Sequence, residues 1–372
     1  MKKNLLYGIL FSVLTLGFAA CSDDEDNEPW VEPELTTEGV YILNSGGNGN
    51  NNSTLGYYNP ETKVYTPNVF QNQNNNLLMG DVGNDMVIYG SRMYILATNA
   101  NKIYITDLKG KLLTYSNGTD AVISPKIVNN EPAGPRFATA YGGKVYVSTK
   151  AGYVARIDTT SLAIDKTVKV GANPEQMTVL DNKLYVANSG YGSGNTVSVV
   201  DLSSFTELKQ IDVALNPTPI TSDKNGNIYI VSFGNYTTIK SSFQKLNPTT
   251  EEVTVIATDV ATKITMNKDK DKLFILKEVW GAEGAAHEIT YYDVNSEKIE
   301  TTPYFQLPSS AGSLGKAYSM SVDPVSGDVY IGAGDSRANG DMYVFSADGT
   351  YKDKFDTQGL YPIGAYFVTG VK

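Results

Sequence analysis

The chain offers little of the chemistry that makes or breaks bonds. Its single histidine, His287, stands beside Glu288 and near Trp280, so neither a multi-histidine metal site nor a histidine-ligated redox centre can be assembled. A lone base could support an elimination, but without an identified acid His287 reads more simply as a surface or ligand-contacting residue. Scattered carboxylates such as Asp81, Asp85 and Asp335 lack the spacing of a calcium loop, and no metal site is expected. Gly46-Gly47 leads into asparagines and not into a helix, so it is no phosphate cradle. Cys21 is the only cysteine, which removes disulfides and thiolate metal sites. The expectation is a protein that binds and does not catalyse.

Residues suited to binding recur in short polar stretches. Asn44, Asn48, Asn99, Asn101, Tyr153, Asn188, Tyr191, Phe233, Asn235, Tyr236, Trp280 and Arg337 belong to one set of such stretches, and Arg136, Gln176 and Tyr361 to a second. Aromatic rings supply broad apolar contact at little rotamer cost and amides supply adaptable hydrogen bonds, as in antibody paratopes. For any single residue, turn-making or packing is the competing use.

The elements that must position these residues repeat along the chain. An apolar, aromatic, apolar triplet returns as Val40-Tyr41-Ile42, Met93-Tyr94-Ile95, Val145-Tyr146-Val147, Leu184-Tyr185-Val186, Ile228-Tyr229-Ile230, Leu273-Phe274-Ile275 and Val329-Tyr330-Ile331, at intervals of 39 to 56 residues. Intervals of this order match the roughly 40–50 residues of a four-stranded propeller blade. Tight-turn residues precede the triplets, as in Tyr141-Gly142-Gly143-Lys144, and a second hairpin follows each, as at Asn247-Pro248-Thr249-Thr250. Two hairpins per unit give four antiparallel strands, and no stretch carries a sustained helical period. The reading is an all-β, seven-bladed propeller over residues 39–372, in which Ile363–Val368 supplies the inner strand that the first blade lacks. A two-sheet sandwich would not explain seven matched units with complementary ends. In such a ring, the loops between second and third strands and the loops leading to inner strands share one face. Both sets of candidate residues then meet there, while the repeated tyrosines pack between blades.

The stretch Lys183-Leu184-Tyr185-Val186-Ala187-Asn188-Ser189-Gly190, continuing through Asn195–Asp201 to Ala214-Leu215-Asn216-Pro217, resembles the YVTN repeat of YncE-like propellers. With the N-terminal features below, the chain resembles the BtuG kind of surface lipoprotein. That resemblance implies capture of cobalamin or a related corrinoid, with cobalamin a transported ligand and no cofactor. It further implies delivery to a TonB-dependent outer-membrane transporter. A corrinoid's planar ring and amide rim suit the candidate residues, and so does a glycan; a propeller lyase using His287, or a scaffold that binds only protein, are the alternatives.

The first residues set the compartment. Lys2 and Lys3, the apolar run Leu5–Phe18 and Phe18-Ala19-Ala20-Cys21 read as a lipoprotein signal over residues 1–20, with lipidation at Cys21 and anchorage to the membrane. A cleaved signal peptide with an incidental cysteine is the alternative. Residues 21–38 open with Ser22-Asp23-Asp24-Glu25-Asp26-Asn27-Glu28-Pro29, a solvated acidic tether. It resembles the export signal that places some bacterial lipoproteins on the outer face of the outer membrane. The chain's formal charge is −10, and losing residues 1–20 with their two lysines leaves −12. Such a surface repels phosphate backbones, so nucleic acid is not an expected partner.

Overall fold

A computed structural model describes residues 34–126, 130–277, 289–335 and 337–371. Cys21 and residues 22–33 of its tether, Trp280 and His287 lie outside the described residues. The folded unit begins at Leu35, slightly ahead of residue 39.

Among the described residues, seven four-stranded antiparallel sheets succeed one another. Blades 2 to 7 each use four strands consecutive in sequence, with inner strands Gly83–Tyr89, Pro135–Tyr141, Pro174–Leu180, Pro217–Ser222, Lys263–Met266 and Lys316–Val322. Blade 1 is composite. Its inner strand is the C-terminal Pro362–Val371, which pairs with Leu35–Asn44 from Leu35↔Val371 to Asn44↔Pro362; Thr54–Asn59 and Val64–Thr66 complete it. Each inner strand packs against that of the next blade around the whole ring. The predicted propeller and its closure by the last strand are thus present.

The triplet explains the packing. It always lies on the second strand, with its aromatic residue buried, from Tyr94 at 0% exposure to Tyr146 and Tyr185 at 3%. Side chains alternate between the two faces of a strand, so each triplet feeds two layers. Tyr41 packs with Met86, Met93 and Ile95 of blade 2, Tyr146 with Leu184 and Val186 of blade 4, and Tyr229 with Leu273 and Ile275 of blade 6. Val40 and Ile42 turn the other way, onto Tyr330 and Met342 of blade 7. The described residues form one such apolar layer between every pair of neighbouring blades. The repeated aromatics are therefore packing residues; burial pushes the hydroxyls of Tyr41, Tyr229 and Tyr330 far above their ordinary range.

Turn chemistry repeats with equal regularity. In the outer hairpins an Asp or Asn side chain accepts backbone N–H groups two and three residues on: Asn59 from Glu61 and Thr62, Asp158 from Thr160 and Ser161, Asn247 from Thr249 and Thr250. Two residues in these hairpins, Leu162 and Phe205, hold left-handed backbone at φ 58° and 54° and bury their side chains to 7% and 3% exposure. The helical elements are short: α1 (Val69–Gln73) and the single 3-10 turns Gly190–Gly192 and Ser309–Ala311. The sequence carries no periodic signal for α1 because the element is a single turn. Its Phe70 is fully buried, with its ring 5.1 Å from that of Tyr104, beside the three-residue outer strand of blade 1.

At the channel mouth a polar network crosses four blades. A left-handed residue precedes Pro135, Pro174, Pro217 and Pro362, namely Gly134, Asn173, Asn216 and Tyr361. Proline donates nothing to the ladder, and a register shift follows at Pro135/Ala138, Pro174/Met177 and Pro217/Ile220. Such bulges re-aim side chains. Arg136 Nη2 and Nε donate to Glu175 Oε2 at 2.6 and 3.1 Å, and Nη1 donates to Asn84 Oδ1 at 2.8 Å. Neighbouring Asp85 accepts the Tyr366 hydroxyl at 2.8 Å and the Ala138 N–H at 2.8 Å. Burial pushes the Asp85 carboxyl up to about 6, against the pull of those donors and of Arg136.

A chain ending at residue 361 lacks the inner strand of blade 1 and should show no cooperative thermal transition by circular dichroism; a sharp transition would contradict ring closure as the step that stabilises the fold. Asp85 holds its proton more tightly folded than unfolded, so its contribution to stability is lost as pH rises from about 4 to about 6. Asp85→Asn can accept from Ala138 and donate to the Tyr366 oxygen. Its stability relative to wild type should therefore rise by up to about 3 kcal/mol between pH 4 and pH 7, measured from urea unfolding. A constant difference across that range would show that ionisation of Asp85 carries no cost.

Candidate functional site

Backbone hydrogen bonds gather the variable loops on one face. In blades 1 to 5 the loop after the second strand pairs with the loop leading to the inner strand of the same blade: Ser45 N–H with the Tyr361 carbonyl (2.9 Å), Thr98 with Val82 (2.8 Å), Lys150 with Gly134 (2.9 Å), Ser189 with Asn173 (3.2 Å) and Phe233 with Asn216 (2.9 Å). Leu35 and Val371, at the far ends of their paired strands, mark the opposite face.

Several asparagines expected to meet a ligand are consumed by the fold. Asn44 and Asn188 are 0% and 1% exposed, and their amides are turned into the protein. Asn44 Nδ2 donates to Thr54 Oγ1 and the Thr357 carbonyl, both at 3.1 Å. Asn188 Nδ2 donates to Thr196 Oγ1 and Ser198 Oγ, at 3.0 and 2.8 Å. Asn101 donates to the Pro125 carbonyl and accepts the Gly134 N–H. Asn235 Oδ1 accepts the N–H groups of Thr237, Thr238 and Ile239. In each case the amide is engaged inside a turn or at a strand end. Arg136 is held by Glu175 and Asn84 at the channel mouth.

The remaining candidates fall into separate groups. Asn48, Asn99 and Lys150 form an exposed row over blades 1 to 3, with Asn99 Nδ2 2.7 Å from Asn48 Oδ1 and Lys150 Nζ 3.2 Å from Asn99 Oδ1. Tyr361 meets Tyr318 edge-on at 5.1 Å. Tyr153 and Gln176 are half-buried, and Arg337 is exposed, its N–H bound to Asp335. Tyr191 and Tyr236 are 77% and 67% exposed. Both hold left-handed backbone, at φ 58° and 61°, a conformation that costs a non-glycine residue about 1–2 kcal/mol. Leu162 and Phe205 offset the same strain by burying their side chains; these two tyrosines do not.

Their loops are held firmly. Ser189 Oγ accepts the Tyr191 N–H and shares its one proton between Glu175 Oε1 and the Asn173 carbonyl, at 3.0 and 3.1 Å, joining the Tyr191 turn to the network at the mouth. At blade 5, Gly234 sits at φ 68° with no room for a Cβ, which would fall 2.0 Å from the Ile239 oxygen. Asn216 Nδ2 reaches the Tyr236 hydroxyl at 3.3 Å.

Beside Tyr236 a cleft of about 670 Å³ opens between blades 5 and 6, walled by Phe233, Tyr236 and Ile239 and bearing Lys240, Lys263, Lys277 and Asp259. Lys277 and Lys240 share Asp259, at 3.3 and 3.7 Å. Sequence reading found Phe233 and Tyr236 but missed the charged group. No local spacing announces it, because its members come from three segments that only the ring brings together.

No curated protein matches the sequence. Similar solved structures include a chain of Kuenenia stuttgartiensis hydrazine synthase, with 15% identity over 77% of this chain and 92% of that one and a TM-score of 0.59. A Bacteroides fragilis protein provisionally named a 6-phosphogluconolactonase has 11% identity over 93% and 100%, at TM-score 0.60. A quinoprotein alcohol dehydrogenase-like protein of Bacteroides thetaiotaomicron has 14% over 89% and 78%, at 0.61. At these identities the likeness is one of fold alone. The family model described as a domain of unknown function, DUF5074, matches residues 38–368, and since this is nearly the whole ring the chain belongs to the DUF5074 family.

Proposed function

We propose that the protein captures a large ring-bearing ligand on its loop face and releases it chemically unchanged. One observation carries this reading: Tyr191 and Tyr236 hold strained backbone yet leave their rings in solvent. A broad apolar ring held in solvent on left-handed backbone points to a use outside the fold. Rigid turns beneath both rings limit the ordering cost of binding. The row Asn48, Asn99 and Lys150 adds donors and acceptors on the same face.

Cobalamin is the specific ligand proposed, from the resemblance to the BtuG kind, with Tyr191, Phe233 and Tyr236 against the ring and the amide row against its periphery. On this reading a lipid on Cys21 holds the protein at the outer membrane and a TonB-dependent transporter receives the ligand. Leu35, where the ring begins, lies on the face away from the loops. The 6-phosphogluconolactonase name borne by a structural neighbour offers a weak hint of an enzyme. Binding is favoured over catalysis because the ionisable groups at the mouth are engaged within the protein: Arg136 by the Glu175 carboxylate and Asp85 by the Tyr366 hydroxyl. A glycan is the second reading, favoured by the cleft beside Tyr236.

Titration calorimetry with cyanocobalamin should show a Kd of about 1 μM or tighter. Tyr191→Ala and Tyr236→Ala should each weaken it by about tenfold or more with no fall in melting temperature. Tyr191→Gly should weaken binding equally while stabilising the fold by about 1 kcal/mol. Absence of heat with cyanocobalamin removes the corrinoid, and unfolding of the alanine variants would mean that these rings serve the fold.

A further inference from the structure

We infer that the cleft between blades 5 and 6 receives an acidic sugar, with the acid group between lysines and the sugar ring on the aromatic wall. This rests on the loop face being a binding face but not on cobalamin being its ligand. Charge comes first. The chain is acidic as a whole, at −10, so its mean field disfavours anions. Within the described lining of this cleft two amines, Lys240 and Lys277, face one carboxylate, Asp259.

The arrangement leaves the amines able to change partner. Lys277 and Lys240 stand 3.3 and 3.7 Å from one shared carboxylate, whereas Lys354–Asp341 and Lys245–Glu297 close to 2.7 and 2.6 Å. Exposed pairs of this kind contribute little to stability. An incoming carboxylate could therefore take both amines at small cost and form charge-assisted hydrogen bonds.

The walls select what carries the acid. Phe233 and Tyr236 lie 6.4 Å apart with planes inclined at 42°, presenting ring faces to C–H groups, and Ile239 extends the apolar wall. Thr237, Ser241 and Thr262 place hydroxyl side chains among them. Rings, hydroxyls and amines in one cleft match a polyol ring bearing one acid better than they match a purely aromatic anion. The volume of about 670 Å³ lies within the range of small-ligand sites. The turn locked by Gly234 and Asn235 fixes Tyr236 before any ligand arrives.

The test uses the full chain and three probes: a glucuronate-containing disaccharide, its neutral glucose counterpart and inorganic phosphate. Calorimetry should show the acidic disaccharide binding at least about tenfold tighter than the neutral one, and weakening as salt rises. The double variant Lys240→Gln, Lys277→Gln should bring it down to the neutral sugar's affinity with an unchanged melting temperature, and Tyr236→Ala should weaken both sugars. Equal affinity for the acidic and neutral sugars would overturn the proposal. So would phosphate binding as tightly as the sugar acid with no effect of Tyr236→Ala, which would leave a bare anion patch. Tyr191 lies outside the cleft, so Tyr191→Ala should spare sugar-acid binding. If sugar acid binds where cyanocobalamin does not, the corrinoid reading falls and the cleft stands; the reverse result removes only the cleft.

Discussion

Everything in this molecule depends on apolar layers that no blade can complete alone. The second strand of each sheet sends its triplet aromatic to the following blade and its flanking aliphatics to the preceding one, as Tyr41 and Val40 do from blade 1. A single sheet would leave both its apolar faces in water, so stability arises only as neighbours stack. An open stack would still expose a face at each end. The strand Pro362–Val371 removes that cost by joining the two ends of the chain in one sheet.

Because the layers lie between blades, the loops beyond them carry almost none of the burial and are free to serve other ends. Their freedom is restrained at the inner edge. The Arg136–Glu175 pair, the Asn84 amide and the Asp85–Tyr366 bond link the inner strands of blades 1 to 4. These are expensive groups to withdraw from water, as the raised Asp85 carboxyl shows. What they provide is fixed position: through Ser189, Glu175 also sets the base of the Tyr191 turn. Rigidity is thus passed from the channel mouth to the rim of the loop face through polar contacts and not through the apolar layers.

The fold was legible in the sequence because its signals are local. Triplets of period two, Asx turns and complementary chain ends can each be read within a few residues. The loop face was legible as a location but not as a list of contacts. Asn44, Asn101, Asn188 and Asn235 occur in the expected loops or at their edges, yet an amide that can hydrogen-bond a ligand can equally replace a backbone group. Only geometry separates the two uses. The lysine cleft escaped for the opposite reason: Lys240, Lys263 and Lys277 have no meaning until blades 5 and 6 are side by side. The single turn of α1 gave no period to read.

Left-handed backbone by itself distinguishes nothing here, since many non-glycine residues adopt it in turns. What the side chain gains is the discriminating quantity. Leu162 and Phe205 enter the layers between blades 2 and 3 and between blades 3 and 4, where burial of an apolar side chain is worth about 1.5–3 kcal/mol and more than offsets the backbone cost. Tyr191 and Tyr236 incur the same cost and regain little of it inside the protein, though glycine or asparagine at either position would avoid most of it. Exposed charged residues such as Lys63 and Glu297 hold the same backbone with side chains that water already satisfies; at Tyr191 and Tyr236 it is a broad apolar ring that stays in water, and such a ring on a firmly held turn is suited to meeting another ring.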